Sequence, residues 1–385
     1  MEKIANIIFI YSFLLFQIVL VSNESRFTKK NRTKIVLLLG LIWVIFFSLR
    51  DIGLDIEPYK NIFESTQDIT LDINYAMGML DSHIEPFNQI LMSTLKHNDL
   101  GFSVFLFTMA LIPFSIIINI ISKTESTPIL ALHLFSLTLL YQAMDAVRHF
   151  VAISVYFWAL YFLSNNQVKR FFAKSLLSTL IHYSNVIVIP TYFFMKIKWN
   201  LRTYIGCLFC LWLLGEVFSG IIGSNLEHLA ENSNLSILFK ASYYINNNNL
   251  YEYINELHFW LLHIRSYFYF LITVAVNIYI LNYGGDKSLK NRFHFFLFKS
   301  QLLGTLISSF LIGMGARDFS MRVLFLMSIG IFLLLQDIIL IRNNGTTLSS
   351  GSKFCLISLV FIIYNFVMLL YLAGIHQPQS PFYLG

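Results

Sequence analysis

The chain has 385 residues, of which 56% are hydrophobic and only 12% charged, with a mean hydropathy of +0.65. An ordinary soluble domain carries about 25% charged residues, so a soluble fold is excluded, and with it a nucleic-acid reading of the net charge of +6. The surplus Lys and Arg instead fall mostly in short connections between apolar runs, the positive-inside pattern of membrane proteins.

The expected architecture is all-α, a single polytopic membrane domain over residues 1–385 with external loops at about 50–101 and 224–258. The run from Ile4 to Val21 is long enough to cross a bilayer, and no small-residue cleavage site follows it, so it reads as a retained first span. Arg26, Lys29, Lys30, Arg32 and Lys34 then place the first connection in the cytoplasm, and the second span, 35–49, runs outward. Residues 50–101 carry nine acidic positions, from Asp51 and Asp55 to Glu85 and Asp99, and suit an external loop. Further spans are expected at 102–121, 129–146, 147–163, 203–223, 259–281, 293–313, 323–341 and 354–372, ten in all, with the C-terminus outside. The stretch 171–194 is long enough to cross once, which would leave Lys196, Lys198 and Arg202 outside. The charge pattern on both sides is met if it instead enters and returns, breaking near Ile181-His182-Tyr183-Ser184-Asn185, and that is the preferred reading. Non-helical backbone is tolerated at that depth where it lines a cavity.

On this topology ionisable residues gather at the outer face. Arg50, Asp51 and Asp55 follow the second span; Asp145, Arg148 and His149 lie between the fourth and fifth; Arg317, Asp318 and Arg322 between the eighth and ninth; Arg265 lies just inside the seventh. Charge at a span boundary is costly unless it meets water, a partner or a substrate. Arginine's planar fork suits bidentate recognition of phosphate, so Arg50, Arg148, Arg265, Arg317 and Arg322 are candidates for a diphosphate site. The bland reading of Arg50 beside Asp51 is an interfacial anchor with a local ion pair, and that of Arg317, Asp318 and Arg322 a solvated turn. Asp55, Asp51 and His182 are candidate general bases. No H-E-x-x-H or other metal spacing occurs, no metal site is assigned, and Cys207, Cys210 and Cys355 lie within apolar segments. No internal repeat of the transporter kind is evident.

The run Leu49-Arg50-Asp51-Ile52-Gly53-Leu54-Asp55-Ile56-Glu57-Pro58-Tyr59, with Phe63 after it, resembles the signature behind an early span in the EpsG family of polysaccharide-biosynthesis membrane proteins. Glu85-Pro86-Phe87, Arg148-His149-Phe150-Val151-Ala152-Ile153, Ile181-His182-Tyr183-Ser184 and the pair Arg317 and Arg322 follow in the family's order. The likeness covers about residues 35–340; it departs at His149, where glutamine is usual, and at Ile181, where phenylalanine is usual. The family is similar to Wzy-type polymerases.

The resemblance implies a GT-C-like membrane glycosyltransferase that polymerises undecaprenyl diphosphate-linked oligosaccharide repeats at the outer face of the bacterial inner membrane. It also implies a lipid bilayer environment, no cofactor, and partnership with a flippase and a chain-length regulator. Tyr59, Glu85 and His149 become candidates for positioning substrate. A flippase for the same lipid-linked saccharide and an O-antigen ligase-like transferase are the alternative readings.

Overall fold

The computed structural model describes residues 2–50, 56–66, 85–232, 256–283, 289–340 and 349–374, and these contain helices and connections with no strand among them. Asp51 and Asp55 lie outside the described residues. In chain order the helices are α1 Glu2–Ser22, α2 Lys29–Leu49, α3 Ile56–Ser65, α4 Pro86–His97, α5 Phe102–Thr124, α6 Pro128–Asp145, α7 Val147–Ser164 and α8 Val168–Ile181. A short 3₁₀ turn, Tyr183–Val188, leads to α9 Thr191–Phe194, α10 Leu201–Asn232, α11 Glu256–Asn282, α12 Arg292–Gly313, α13 Arg317–Met327, α14 Ile331–Leu340 and α15 Ser350–Gly374.

Seven of these are long and apolar enough to cross a membrane, and α13 with α14, bent by 54° at their break, brings the number to eight when the pair is counted as one broken span. The chain is therefore a multi-pass membrane protein, but the described residues supply fewer spans than the ten expected. The shortfall falls on 129–146 and 259–281, whose described apolar parts, Pro128–Leu139 and Tyr267–Asn282, are shorter than a span. Large apolar side chains on the outside, such as Phe209, Val217 and Leu271, suit a lipid surround.

The chain divides into two compact units, residues 1–186 with 335–385, and residues 187–334. In the first unit, polar residues fasten helix ends to one another. Thr28 caps α2 by accepting from the Asn31 N–H. Glu24 acts as a remote cap for α6: its two carboxylate oxygens accept from the Ile129 and Leu130 N–H groups at 2.9 and 3.0 Å. Arg32, read from sequence as a topological charge, donates to the carbonyls of Glu24, Phe27 and Ser126 and so holds that cap in place. Deeper in, Trp43 Nε1 donates to Ser136 Oγ at 3.0 Å, and Asn365 donates to the Leu137 carbonyl at 2.7 Å. In a lipid surround, where apolar contact alone drives helices together weakly, such bonds select the pairing.

The second unit is organised by α10, α11 and α12. Tyr204, Asn277, Gln301 and Thr305, all fully buried, form one hydrogen-bonded network across these three helices. α10 and α12 approach backbone to backbone: a Cβ added at Gly215 would run into the Phe310 carbonyl oxygen, and one at Gly313 into the Trp212 carbonyl oxygen. Leucine at either position should therefore destabilise the protein by about 1–3 kcal/mol, the cost of overpacking a rigid contact. Thermal unfolding in detergent measures this, with Gly206→Leu, at a position where an added Cβ meets nothing within 4 Å, left near the wild-type midpoint. An unchanged midpoint in Gly215→Leu and Gly313→Leu would contradict the close approach.

Candidate functional site

The site grows from one apolar cluster in the first unit. Tyr59 and Phe63, one turn apart on the buried face of α3, pack with Met92 and Leu95 of α4, Phe105 and Met109 of α5, Val147 and Val151 of α7 and Ile181 of α8. Lys96, in the last turn of α4, donates to the Glu64 and Thr66 carbonyls at 2.7 and 2.6 Å and so ties α3 to α4. Five helix segments are thereby fixed around the ends that carry the polar side chains.

Glu85 is the first of these. It occupies the N-cap of α4, with Pro86 behind it at the first helical position, yet its carboxylate makes no capping bond. Proline has no N–H to leave unsatisfied there, the Asn88 N–H at the third position bonds the Glu85 backbone carbonyl instead, and the carboxylate turns to other partners. One oxygen, Oε2, receives Arg148 Nη1, and the other, Oε1, lies 2.8 Å from His182 Nδ1.

Arg148 stands in the first turn of α7, where the helix dipole disfavours a cation; the Glu85 carboxylate offsets that cost. Its Nε also donates to the Tyr59 hydroxyl, and its guanidinium carbon lies 4.8 Å from the centroid of the Tyr59 ring. The guanidinium is thus oriented by an acid and a phenol, while its side chain keeps 21% of its surface exposed. That exposure leaves it reachable by a ligand.

His182 sits where α8 stops. Its backbone is extended, with φ −152° and ψ 112°, and its N–H bonds back to the Ser178 carbonyl. The helix therefore breaks where the sequence placed a break. The His149 ring stands 5.0 Å from the His182 ring, tilted by 50°. Both histidines are buried, at 3% and 8% exposure.

Burial pushes the Glu85 carboxyl upward, but the His182 hydrogen bond and the Arg148 charge outweigh it and bring it from 4.5 down to about 2. Glu85 is then a carboxylate near neutral pH and can only accept, so His182 Nδ1 must be the donor. When the ring is neutral its lone pair lies on Nε2, the arrangement of a carboxylate-oriented imidazole base. A folded-state value below the ordinary one stabilises the fold above about pH 4.5, and that stability is lost as pH falls from 4.5 toward 2. The melting-temperature gap between wild type and Glu85→Gln should accordingly narrow as pH is lowered through that window; a constant gap would contradict the charged state of Glu85.

Of the residues named from sequence, Arg148, His182, Glu85, Tyr59 and His149 meet here. Arg50 is 3% exposed and donates to the Phe47 and Met144 carbonyls at 2.6 and 3.3 Å. It caps the C-terminal ends of α2 and α6, where the helix dipole favours a cation. Arg265 lies on α11, and Arg317 and Arg322 on α13, all within the second unit. Gly315, at φ +80°, makes the turn between α12 and α13 in the left-handed region that glycine enters without strain.

Asn88, not singled out in the sequence, is fully buried beside Glu85. Its place three residues into a helix opened by Glu85-Pro86 is the signal that could have drawn attention to it, since an amide at that position can reach back to the N-cap. Ser178 and Asn185 complete the frame around His182: Asn185 Nδ2 donates to Ser178 Oγ, and Ser178 Oγ to the Ala152 carbonyl, both at 2.8 Å. Among the described residues no three His, Cys, Asp or Glu side chains gather closely enough to hold a metal ion.

A guanidinium that can meet an anion and an imidazole that can take a proton thus share one carboxylate. A family model described as the EpsG family matches residues 32–382. No curated protein and no solved structure matches the chain.

Proposed function

The chain belongs to the EpsG family, a glycosyltransferase-like polymerase family of polysaccharide biosynthesis, and on that premise we propose that it joins lipid diphosphate-linked oligosaccharide repeats into longer chains. The donor is the growing glycan on undecaprenyl diphosphate, and the acceptor is a sugar hydroxyl on the incoming lipid-linked repeat. The bond from the anomeric carbon to the diphosphate oxygen breaks, and a new bond forms from that carbon to the acceptor oxygen. The acceptor proton passes to a base, and undecaprenyl diphosphate leaves as the anion.

The observation that carries this reading is the Glu85 carboxylate bridging Arg148 and His182. Arg148, held by Glu85 and Tyr59, meets the negative charge that develops on the leaving diphosphate. His182, with Nδ1–H on Glu85, takes the acceptor proton at Nε2. His149 beside it and Tyr59 position the sugars. Asp55 and Asp51 are further candidates for the base or for acceptor binding, and Arg50, Arg265, Arg317 and Arg322 for gripping diphosphate. The reaction takes place at the outer face of the bacterial inner membrane. A flippase delivers the repeat there and a chain-length regulator sets when extension stops.

Deleting the gene in its own host tests the reading. Surface glycan is expected to shrink to single repeats, and the wild-type gene to restore long chains. Loss of all surface glycan, with lipid-linked repeats trapped inside, would instead favour the transporter.

A further inference from the structure

Asn88 lies within the first turn of α4, with its side-chain amide between two oxygens. Its Nδ2 donates to the Ile181 carbonyl at 3.0 Å and lies 3.4 Å from Glu85 Oε2, a longer contact. Both neighbours are acceptors, so chemistry fixes the amide orientation: turned over, Oδ1 would face two oxygens with no proton between them. Ile181 is the last residue of α8, and its carbonyl is one of those a helix leaves without an internal partner. His182 is joined directly to that peptide unit. One amide therefore reaches both the acid that opens α4 and the peptide that leads into the imidazole. Ser178 and Asn185 anchor the break at His182 to α8 and α7; Asn88 ties it to α4.

We infer that Asn88 is a positioning residue that sets the Glu85–His182 geometry, acting through those two groups and not through the substrate. The consequence for kinetics rests on the glycosyl-transfer reading above; the consequence for the His182 hydrogen bond does not. The discriminating variant is Asn88→Asp, nearly identical in shape. It removes the donor to Ile181 and sets a second carboxylate against the first. Like charges that close disfavour ionisation of both, which loosens Glu85 from His182. Asn88→Ala, which removes the donor without adding charge, is the companion variant should the aspartate variant fail to fold.

The experiment uses the purified full chain in lipid nanodiscs with lipid-linked repeat extracted from the host. Turnover is followed against substrate concentration and pH, and the His182 Nδ1–H signal is read by NMR in the same preparation. The signal is assigned by its loss in His182→Asn. Both variants should lower turnover about tenfold or more while KM stays within about twofold. Asn88→Asp should also move the acidic limb of the pH profile upward by about one unit or more. In both variants the His182 Nδ1–H signal should lose the low-field position of a carboxylate-bonded proton. Wild-type turnover and an unmoved signal in both variants would overturn the inference, as would a KM that rises in step with the loss of turnover, since that marks substrate contact. A moved signal in a protein whose wild type forms no glycosidic bond would uphold the positioning role and overturn the polymerase reading.

Discussion

Glu85→Gln should lower the rate of chain extension by about 10²-fold or more per folded molecule. The substitution keeps the shape of the side chain and removes its charge, so the loss reads on electrostatics and proton placement. In the wild type both carboxylate oxygens are engaged, one by Arg148 and one by His182. An amide offers a single acceptor oxygen and a donor NH₂. If the NH₂ turns toward His182, Nδ1 becomes the acceptor, the proton moves to Nε2, and the base is lost; if it turns toward Arg148, two donors face each other and the guanidinium shifts. Either orientation disables one half of the site. The measurement is product length from purified protein, normalised to the monodisperse fraction, because the variant is also expected to be less stable. Near-wild-type extension would remove Glu85 from the mechanism.

Arg148→Lys should abolish long polymer in cells, an expected loss of about 10²–10³-fold, with membrane abundance close to wild type. Lysine keeps a cation opposite Glu85, so the buried carboxylate is not stranded and folding is preserved. What disappears is the fork: the Nε bond to Tyr59, the planar face over the Tyr59 ring, and the bidentate geometry that matches a diphosphate. The variant therefore separates holding the helices together from recognising the leaving group. Sugar chains resolved on a gel, beside an immunoblot of the membrane fraction, give the answer. A ladder of wild-type length would show that charge alone suffices and that the diphosphate role assigned to Arg148 is wrong.

The fold class was legible because it rests on local signals. Apolar runs of span length, basic connections such as 26–34, and a polar interruption at 181–185 are properties of neighbouring residues, and the helix break at His182 followed from the last of them. The bent pair α13 and α14 was less visible, since the break at Ser328-Ile329-Gly330 carries no charge to interrupt a run long enough to read as one span.

The meeting of Glu85 with Arg148 and His182 was not derivable from spacing. It joins positions 63 and 97 residues apart, and only the resemblance put those residues on one footing. The same distance hid the second use of two charged residues. Glu24 caps a helix more than a hundred residues on, and Arg32, read from sequence only as a charge of the first connection, serves three carbonyls. Arg50 was grouped with the diphosphate candidates on charge and place, and its two carbonyl partners show that it also closes the ends of two helices. Asn88 escaped because an uncharged residue in an acidic loop carries no compositional signal.

The central claim, that this chain forms glycosidic bonds at the Glu85–Arg148–His182 centre, is tested most directly by reconstitution. The purified chain in vesicles of defined lipid, given lipid diphosphate-linked repeat as the sole sugar substrate, should yield products of two repeats and longer, with one lipid diphosphate released for each bond formed, and Glu85→Gln should yield none. Labelled repeat that crosses the bilayer unchanged in length, with no lipid diphosphate released, would contradict the account.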